Sequence, residues 1–381
     1  MKRRAAVLIA GALALLSPSR GGAGTSDTTA VGAVPRTDAR SAAAAHEPSV
    51  RDSFSVIYRL EEIVVYGRRP REVSMLTDLR GDEIAARGGG DIAHTLRLEP
   101  ALSVTSGAKA ETETRIRGFP ARAVLVLVDG RPVNTGYYGK ADLSMIASSD
   151  IAALHVVKGP ASTAYGPGGM GGVVNVITRS GLDDPGTDLG ARFGGDGLRR
   201  ISFGHGGARG ALRYRISGYE QYRDGFALSG SFEPTSIEDG GRRMNSGYHK
   251  LGGALKAGYD RGEDRYTLTL GYHRSRREIP PTIYAWDSPR WRRFPEWIRY
   301  GASLSNERPL GRRFDLTAVI YGDAQNDRLV EYLGPAMSDE AIDWDSKLRN
   351  ITAGGSVSVC GAASRNHRLH AGLSFRNDGM D

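Results

Sequence analysis

The stretch YGPGGMGGVVNVITRS, residues 165–180, decides between two folds. Its glycines at 166, 168 and 171 have the G-x-G-x-x-G spacing of a dinucleotide-binding loop, which must open a helix whose amides hold the pyrophosphate. The run at 173–178 is instead rich in β-branched residues, which favour strands. The stretch therefore predicts a glycine-rich turn between two strands, in which the glycines have a structural role.

Length and composition exclude several classes of protein. At 381 residues the chain has room for two or three domains, and its hydrophobic content of 40% is too low for a bundle of membrane helices. The net charge of +8 comes from Lys and Arg scattered among 43 acidic residues, so nucleic acid is not a predicted partner. The 51 glycines suit turns and close backbone contacts more than helices.

The N-terminus has the layout of an export signal. Lys2, Arg3 and Arg4 precede an apolar run at 5–16 that is too short to span a bilayer as a helix. This pattern predicts a signal peptide over residues 1–24 and export from the cytoplasm. Residues 25–60 are rich in Ala, Ser, Thr and Gly without periodicity, which predicts a flexible linker.

Short apolar runs of strand length, each ending in a turn signal, follow this linker. Four motifs stand out: EEIVVYGRR (61–69), TRIRGF (114–119), VLVLVDGRPVN (124–134) and IAALHVVKGPASTAYGPGGMGGVVNVITR (151–179). Acidic capping residues predict helix starts at Asp82 and Asp91. Residues 68–182 are therefore predicted to form a small α+β domain.

These four motifs, in this order and spacing, resemble the N-terminal plug domain of TonB-dependent outer-membrane receptors. The resemblance implies structural roles for Arg115, Arg117, Gly118, Asp129, Gly130, Gly159, Pro160, Tyr165, Gly166, Gly171, Gly172 and Asn175. For Asp129, a turn formed by Asp-Gly at a strand end is the favoured interpretation over a general base. No catalytic constellation is found, so the chain is not predicted to be an enzyme.

The segment at 61–67 is the predicted contact with a protein partner. It is β-prone and follows a flexible linker, so it is suited to adding a strand to a partner's sheet. The resemblance implies that it is the TonB box, which pairs with TonB of the inner-membrane energising complex; its residues are Glu61, Glu62, Ile63, Val64, Val65, Tyr66 and Gly67. Tyr66 stands where Thr is more common, and a first strand of the plug domain is the alternative.

Residues 183–381 alternate between apolar and polar side chains over many strands. Tyr266, Leu268, Leu270 and Tyr272 fall on one face of a strand, and Thr267, Thr269, Gly271 and His273 on the other. Predicted turns at 207–210, 260–264, 309–313 and 361–366 alternate with predicted long loops at 225–246, 277–296 and 327–347. The fold class is therefore an α+β plug domain followed by an antiparallel transmembrane β-barrel.

The barrel is predicted to be incomplete. We count about nine strands, whereas a plugged transporter barrel has about twenty-two. An open sheet leaves two unpaired edges that hydrocarbon cannot satisfy, so the sequence predicts an N-terminal fragment of a longer receptor. A passive outer-membrane protein and a nonfunctional remnant are the alternatives, and the first of these would need no TonB box.

Ligand contacts are predicted in two apical loops of the plug domain, at Ser106, Lys109, Tyr137, Tyr138 and Lys140, although loop composition explains these residues equally well. By resemblance the ligand is a small chelate, with an iron-siderophore as the default and cobalamin, haem, another metal or an oligosaccharide as alternatives. The basic and aromatic segment around Trp291, Phe294 and Trp297 is predicted to meet outer-membrane lipid or lipopolysaccharide, with ligand capture as the alternative. No bound metal or cofactor is predicted, because His367 and His370 would point to opposite faces of a strand.

Overall fold

The computed structural model describes residues 6–11, 76–88, 90–107, 109–181, 185–283, 288–364 and 366–381. The predicted linker and TonB box lie outside these segments, as does the predicted signal peptide except for the backbone of β1 (Ala6–Gly11). β1 pairs with the last strand of the chain, whose edge offers unpaired backbone groups. The signal peptide, linker and box stay predictions.

The segment from residue 76 to 181 forms the predicted α+β domain, called the plug domain below. Its elements are β2 (Leu76–Arg80), α1 (Gly81–Ala86), α2 (Ile92–Arg97), β3 (Leu102–Ser106), β4 (Thr112–Ile116), β5 (Val124–Val128), β6 (Arg131–Pro132), β7 (Ile151–Val157), α3 (Ser162–Tyr165) and β8 (Gly172–Thr178). One sheet has the order β2-β7-β8-β5-β6, and β3 pairs with β4. Ile84 and Leu96 from α1 and α2 pack into its core beside Leu154. None of the described helices is both long and apolar enough to cross a membrane.

The two plug helices begin close to the predicted positions. Asp91 caps α2, since its carboxylate accepts a hydrogen bond from the His94 amide at 3.3 Å. α1 begins at Gly81, one residue before the predicted Asp82, because Glu83 reaches back and accepts a bond from the Arg80 amide at 2.7 Å. The cap of α1 is therefore supplied from within the helix.

The glycine-rich stretch joins strand to strand, as its β-branched run predicts. The chain leaves β7, makes the single helical turn α3, and passes through Gly166 and Gly168, whose φ angles are 88° and 96°. It then enters β8, which pairs antiparallel with β7. At Gly172, with φ of 146°, a Cβ atom would lie 2.3 Å from the Val157 carbonyl oxygen. Only glycine fits there.

The predicted Asp-Gly turn joins β5 to β6. Asp129 and Gly130 both have positive φ angles, 49° and 73°, which is the geometry of a tight hairpin turn. The Asp129 carboxylate is buried and accepts a hydrogen bond from the Thr178 amide at 2.8 Å. Lys256 of the second domain approaches the same carboxylate to 3.2 Å. The aspartate thus ties the turn to β8 and to the second domain.

The other plug motif residues serve turns and packing. Arg117 and Gly118 have φ angles of 50° and 81°, so they form the turn after β4. Tyr165 packs against a buried cluster that includes Leu125, and burial raises the pKa of its hydroxyl to about 12. Asn175 is buried in β8, and its amide atoms have no hydrogen-bond partner among the described residues. Arg115 lies exposed on β4, Gly159 has a φ angle of 155°, and Pro160 follows it before α3.

Nine consecutive antiparallel strands follow the plug domain and are called the barrel wall below. They are β9 (Gly186–Phe193), β10 (Arg199–Arg209), β11 (Leu212–Arg223), β12 (Tyr248–Arg261), β13 (Asp264–Ile279), β14 (Trp291–Leu310), β15 (Phe314–Tyr332), β16 (Ile342–Ala362) and β17 (Arg368–Met380). Each pairs with its neighbour in the chain. The predicted number of strands and the partial barrel are confirmed.

The barrel wall turns its apolar side chains outward. On β13, Leu268 and Leu270 are 38% and 40% exposed, whereas Thr267 and Thr269 are 4% and 8% exposed. The polar side chains are buried because the plug domain covers the inner face of the wall, as Lys256 on Asp129 illustrates. Apolar side chains outside and polar side chains inside are the arrangement that a lipid-facing wall requires, and they confirm the predicted alternation.

The strands extend further than their alternation predicts. The loop after β13 covers 280–290 instead of 277–296, and the loop after β15 covers 333–341 instead of 327–347. The prediction of a lipid-facing aromatic loop is therefore wrong for Trp291, Phe294 and Trp297, which lie in β14 and are buried. Phe294 and Trp297 pack with Met145 of the plug domain, because apolar contacts with the plug replace polar ones at this end of the wall.

Candidate functional site

The two ends of the barrel wall differ in their connections. Long loops at 224–247, 280–290 and 333–341 lie at one end, called the outer end below, and tight turns at 210–211, 262–263 and 311–313 lie at the other. The plug loop after β3 reaches the outer end, because Arg277, near the end of β13, donates a hydrogen bond to the Ala110 carbonyl at 3.0 Å. The loop after β6 is also there, since Tyr138 of that loop contacts Lys109 of the loop after β3.

Three of the predicted ligand contacts converge at this apex of the plug domain. The Lys109 ammonium contacts the Tyr138 hydroxyl and lies 4.5 Å from the centre of its ring. The rings of Tyr137 and Tyr138 meet edge to face, with centroids 4.3 Å apart. Both rings are exposed, so a cation and two aromatic faces are presented together at the outer end.

The other two predicted contacts are placed differently. The Lys140 ammonium forms an ion pair with the buried Glu113 carboxylate at 2.6 Å, so it stabilises the loop and does not join the aromatic pair. Ser106 ends β3 and lines a separate cavity between the plug domain and the barrel wall. The sequence prediction thus combined residues from three different environments.

The cavity that Ser106 borders, called the outer cavity below, has a volume of about 280 Å³. It lies between α2 of the plug domain and the outer ends of β10 to β13. Six Lys or Arg residues and two acidic residues line it: Arg97, Arg192, Arg200, Arg223, Lys250 and Arg277, with Asp91 and Glu278. Arg223 and Arg277 are paired with the carboxylates of Asp196 and Asp142, so the excess of positive charge that attracts anions comes mainly from the other four cations.

Plug backbone groups and carboxylates hold several of these cations in place. Arg200 donates to the Ser149 hydroxyl at 3.1 Å and to the Gln221 side chain at 2.8 Å, and it also contacts the Gly90 carbonyl. Lys250 donates to the Ser144 carbonyl at 3.4 Å and lies 4.0 Å from Asp91. The cations are therefore pre-positioned, which lowers the cost of ordering them around a ligand.

An ion pair joins Arg277 to Asp142 at 2.7 Å, with both side chains buried. Asp142 precedes the short turn Leu143–Met145, and its carboxylate also accepts bonds from the Thr112 and Ser144 amides. Burial alone would raise the pKa of Asp142, but the charges of Arg277 and Lys250, together with the hydrogen bonds from Thr112 and Ser144, outweigh it and hold that pKa at about 2. Asp142 is therefore ionised at neutral pH.

This pKa predicts a loss of stability in acid. Because the pKa of Asp142 is lowered from 3.8 to about 2 on folding, its contribution is present above about pH 4 and disappears as the pH falls towards 2. Its size is on the order of 2 kcal/mol. We expect Asp142→Asn to lower the apparent melting temperature of the detergent-purified protein at pH 6, and this difference to shrink between pH 4 and pH 2. An equal difference in melting temperature at pH 6 and near pH 2 would contradict a lowered pKa for Asp142.

Sequence reasoning missed the cations of the barrel wall. Arg200, Lys250 and Arg277 lie on the inner face near the outer ends of three different strands. The alternation of polar and apolar residues does indicate that each of these three cations points inward. Their convergence on one cavity, however, depends on the register between strands. In the described ranges no group of three His, Cys, Asp or Glu side chains is placed to hold a metal ion.

The comparisons with known proteins agree with this architecture. The family model "TonB-dependent Receptor Plug Domain" matches residues 70–173. The vitamin B12 transporter BtuB of Photobacterium profundum is 28% identical over 209 residues, which are 52% of this chain and 34% of that protein. The chain therefore spans about a third of the length of this relative.

Solved structures share the fold at low identity. The FrpB iron transporter from Neisseria meningitidis (F3-3 variant) superposes with a TM-score of 0.68 and 16% identity, over 81% of this chain and 49% of that one. The copper transporter OprC superposes with a TM-score of 0.65 and 16% identity, over 80% of this chain and 46% of that one. At these identities the likeness establishes the fold alone, and the chain spans about half of each structure.

Proposed function

Because this chain belongs to the family of TonB-dependent outer-membrane receptors, we propose that it acts in the energised uptake of a small anionic metal chelate, with ferric siderophores as the leading class. The outer cavity carries this proposal, since six Lys or Arg residues against two acidic ones favour a ligand with several negative groups. The chain is a receptor and transporter component in this proposal, and not an enzyme.

The plug apex supplies the second part of the ligand site in this proposal. Lys109, Tyr137 and Tyr138 present one cation and two exposed rings, which suit a planar, anionic chelating group such as a catecholate. Such a group stacks on the rings while its charge meets the ammonium. Ser106 and Lys140 act around this contact, the first at the rim of the outer cavity and the second by bracing the loop.

Cobalamin is the second candidate ligand. It is favoured by the relative named as a vitamin B12 transporter, which matches over 209 residues. The names of the similar proteins include vitamin B12, iron and copper transporters, so membership of the family does not select one ligand. The charge of the outer cavity is the reason to place anionic chelates first.

The remaining parts of the proposal concern localisation and partners. TonB-dependent receptors are outer-membrane proteins, so export by a signal peptide at 1–24 and contact of the outward apolar face with lipid and lipopolysaccharide are proposed here. The segment at 61–67 is proposed to pair with TonB. Energy must come from this partner, because the outer membrane has no ATP supply or ion gradient of its own.

Uptake by living cells tests the proposal. Cells that produce the protein, and that lack their other receptors of this family, are supplied with radiolabelled ferric siderophores and with labelled cobalamin, in the presence and absence of TonB. We expect at least one ferric siderophore to accumulate only when TonB is present. Accumulation of cobalamin alone would favour the second candidate, and no TonB-dependent accumulation of any probe would refute the proposal.

Neutralising cations of the outer cavity is expected to weaken binding. Arg97 and Arg192 are exposed at the cavity, so their substitution by glutamine removes charge without disturbing a buried contact. We expect each change to raise the Kd for the transported ferric siderophore about tenfold, measured by fluorescence quenching. Arg209→Gln, an equal charge change at the opposite end of the barrel wall, serves as the control and should leave the Kd unchanged.

A further inference from the structure

A second cavity lies between the plug domain and the barrel wall, deeper than the outer cavity. This inner cavity has a volume of about 150 Å³. On β12 it is lined by Gly253 and Ala254, whereas the outer cavity uses Lys250; on β13 it is lined by Gly271 and His273, whereas the outer cavity uses Arg277. On both strands the inner cavity lies further from the outer end, so the two cavities are stacked along the same part of the wall.

A thin partition separates the two cavities. Arg277 of the outer cavity forms its ion pair with Asp142 of the inner cavity, and Arg200 of the outer cavity stacks over the ring of Tyr219 of the inner cavity at 4.6 Å. The plug turn Leu143–Met145 continues the partition, because Ser144 lines the outer cavity and Met145 the inner one. The partition therefore consists of one short plug turn and two side-chain contacts.

Small residues on the inner face of the wall keep the inner cavity open. Ala254, Gly271 and Gly301 are register partners on β12, β13 and β14, and all three line this cavity. A Cβ atom on Gly301 would lie 2.6 Å from the Arg131 guanidinium carbon, so a larger residue would have to displace the Arg131 side chain there. Small residues on these three strands thus leave space between the barrel wall and the plug domain beneath the partition, while the plug domain stays in place.

We propose that the turn at 142–145 is the gate of the uptake route, and that the ligand passes from the outer to the inner cavity along β11 to β14 when this turn moves. The inference rests on the proposed function, since it locates the path of the ligand within the receptor. Arg277 and Lys250 contact the turn on its outer side, and Arg200 covers Tyr219 beside it. An anionic ligand that reaches these three cations therefore competes for the contacts that close the partition.

Cysteine labelling tests the gate without knowledge of the ligand. In a Cys360→Ser background, Ala254→Cys places a thiol in the inner cavity. Thr352→Cys is the matched control, because residues 254, 271, 301, 323 and 352 form one continuous row of register partners and Thr352 is buried on the inner face of β16 without lining either cavity. Whole cells are treated from outside with a sulfonated dye maleimide. This reagent is anionic, and it is too large to pass through general porins.

Opening of the gate should expose only the inner-cavity thiol. We expect Asp142→Asn, and separately Arg200→Gln, to raise the labelling rate of Ala254→Cys about tenfold and to leave that of Thr352→Cys unchanged. Lys256→Gln, which breaks another buried plug–barrel ion pair outside the partition, should change neither rate.

Two results would overturn the inference. Equal acceleration at both thiols would mean that the plug loosens as a whole, and unchanged labelling of Ala254→Cys in both gate variants would mean that the turn does not close this route. Neither result depends on uptake, so the gate and the proposed function fail separately: TonB-dependent uptake with either labelling result would leave the function standing and remove the gate.

Discussion

Replacing Val64 with proline is expected to reduce uptake to the level of cells that lack TonB. In the proposed function, residues 61–67 pair as a strand with TonB, and most of the binding energy of an added strand comes from backbone hydrogen bonds. Proline removes one amide donor and fixes φ, so it disrupts the ladder whatever its side chain contacts. The expected loss is about a hundredfold or more in TonB-dependent uptake rate, equivalent to about 3 kcal/mol or more of coupling.

The matched control for this change is Val64→Thr, which keeps a β-branched side chain and the amide donor. We expect it to retain uptake within about twofold, as backbone recognition tolerates side-chain changes. Both variants should bind the ligand normally from outside, because the box lies before the plug domain in the chain. Normal uptake by Val64→Pro would show that this segment does not transmit the force and would favour the first-strand interpretation.

Replacing Gly172 with valine is expected to prevent the plug domain from folding stably. A Cβ atom at this position would lie 2.3 Å from the Val157 carbonyl oxygen and 2.8 Å from the Ile116 Cδ1 atom, at a φ angle of 146°. Backbone strain and the steric clash together should cost about 3 kcal/mol or more. The measurement is the rate at which protease cleaves the plug domain in the purified protein.

Gly230→Ala is the control for this glycine, because its added Cβ atom would meet no atom within 4 Å. We expect its protease resistance to match that of the unchanged protein. If Gly172→Val were equally resistant, the close approach of β8 to β7 would be absent from the molecule in solution. The glycines of residues 165–180, for which the sequence predicts a structural role, would then need a different explanation.

The sequence predicted the barrel wall well because its physical signal is local. Between Tyr266 and Tyr272 on β13 the outward residues are apolar and the inward residues are Thr or Gly, so a period of two is readable from one strand alone. The strand ends were predicted less well. At Phe294 and Trp297 the inner face becomes apolar because it packs against Met145 of the plug domain, and this contact is not visible within β14 itself.

The candidate ligand site was predictable only in part for a similar reason. The two apical loops were recognisable from their positions between plug motifs, and Lys109, Tyr137 and Tyr138 do converge. Lys140 was assigned the same role on composition, but its partner Glu113 lies 27 residues earlier and on another element. The outer cavity depends on register across β10 to β13 and on the seating of the plug, which no single stretch encodes.

Pairing between residues 61–67 and TonB tests the central claim most directly, since an energised receptor requires this contact and a passive outer-membrane protein does not. Cysteines are placed singly along this segment in the Cys360→Ser background, and each variant is produced together with TonB that carries a single cysteine in its periplasmic domain. We expect disulfide-linked receptor–TonB complexes at several of these positions and their loss when Val64→Pro is added. The absence of cross-linked complexes at every position, in cells that hold both proteins at normal levels, would contradict the central claim.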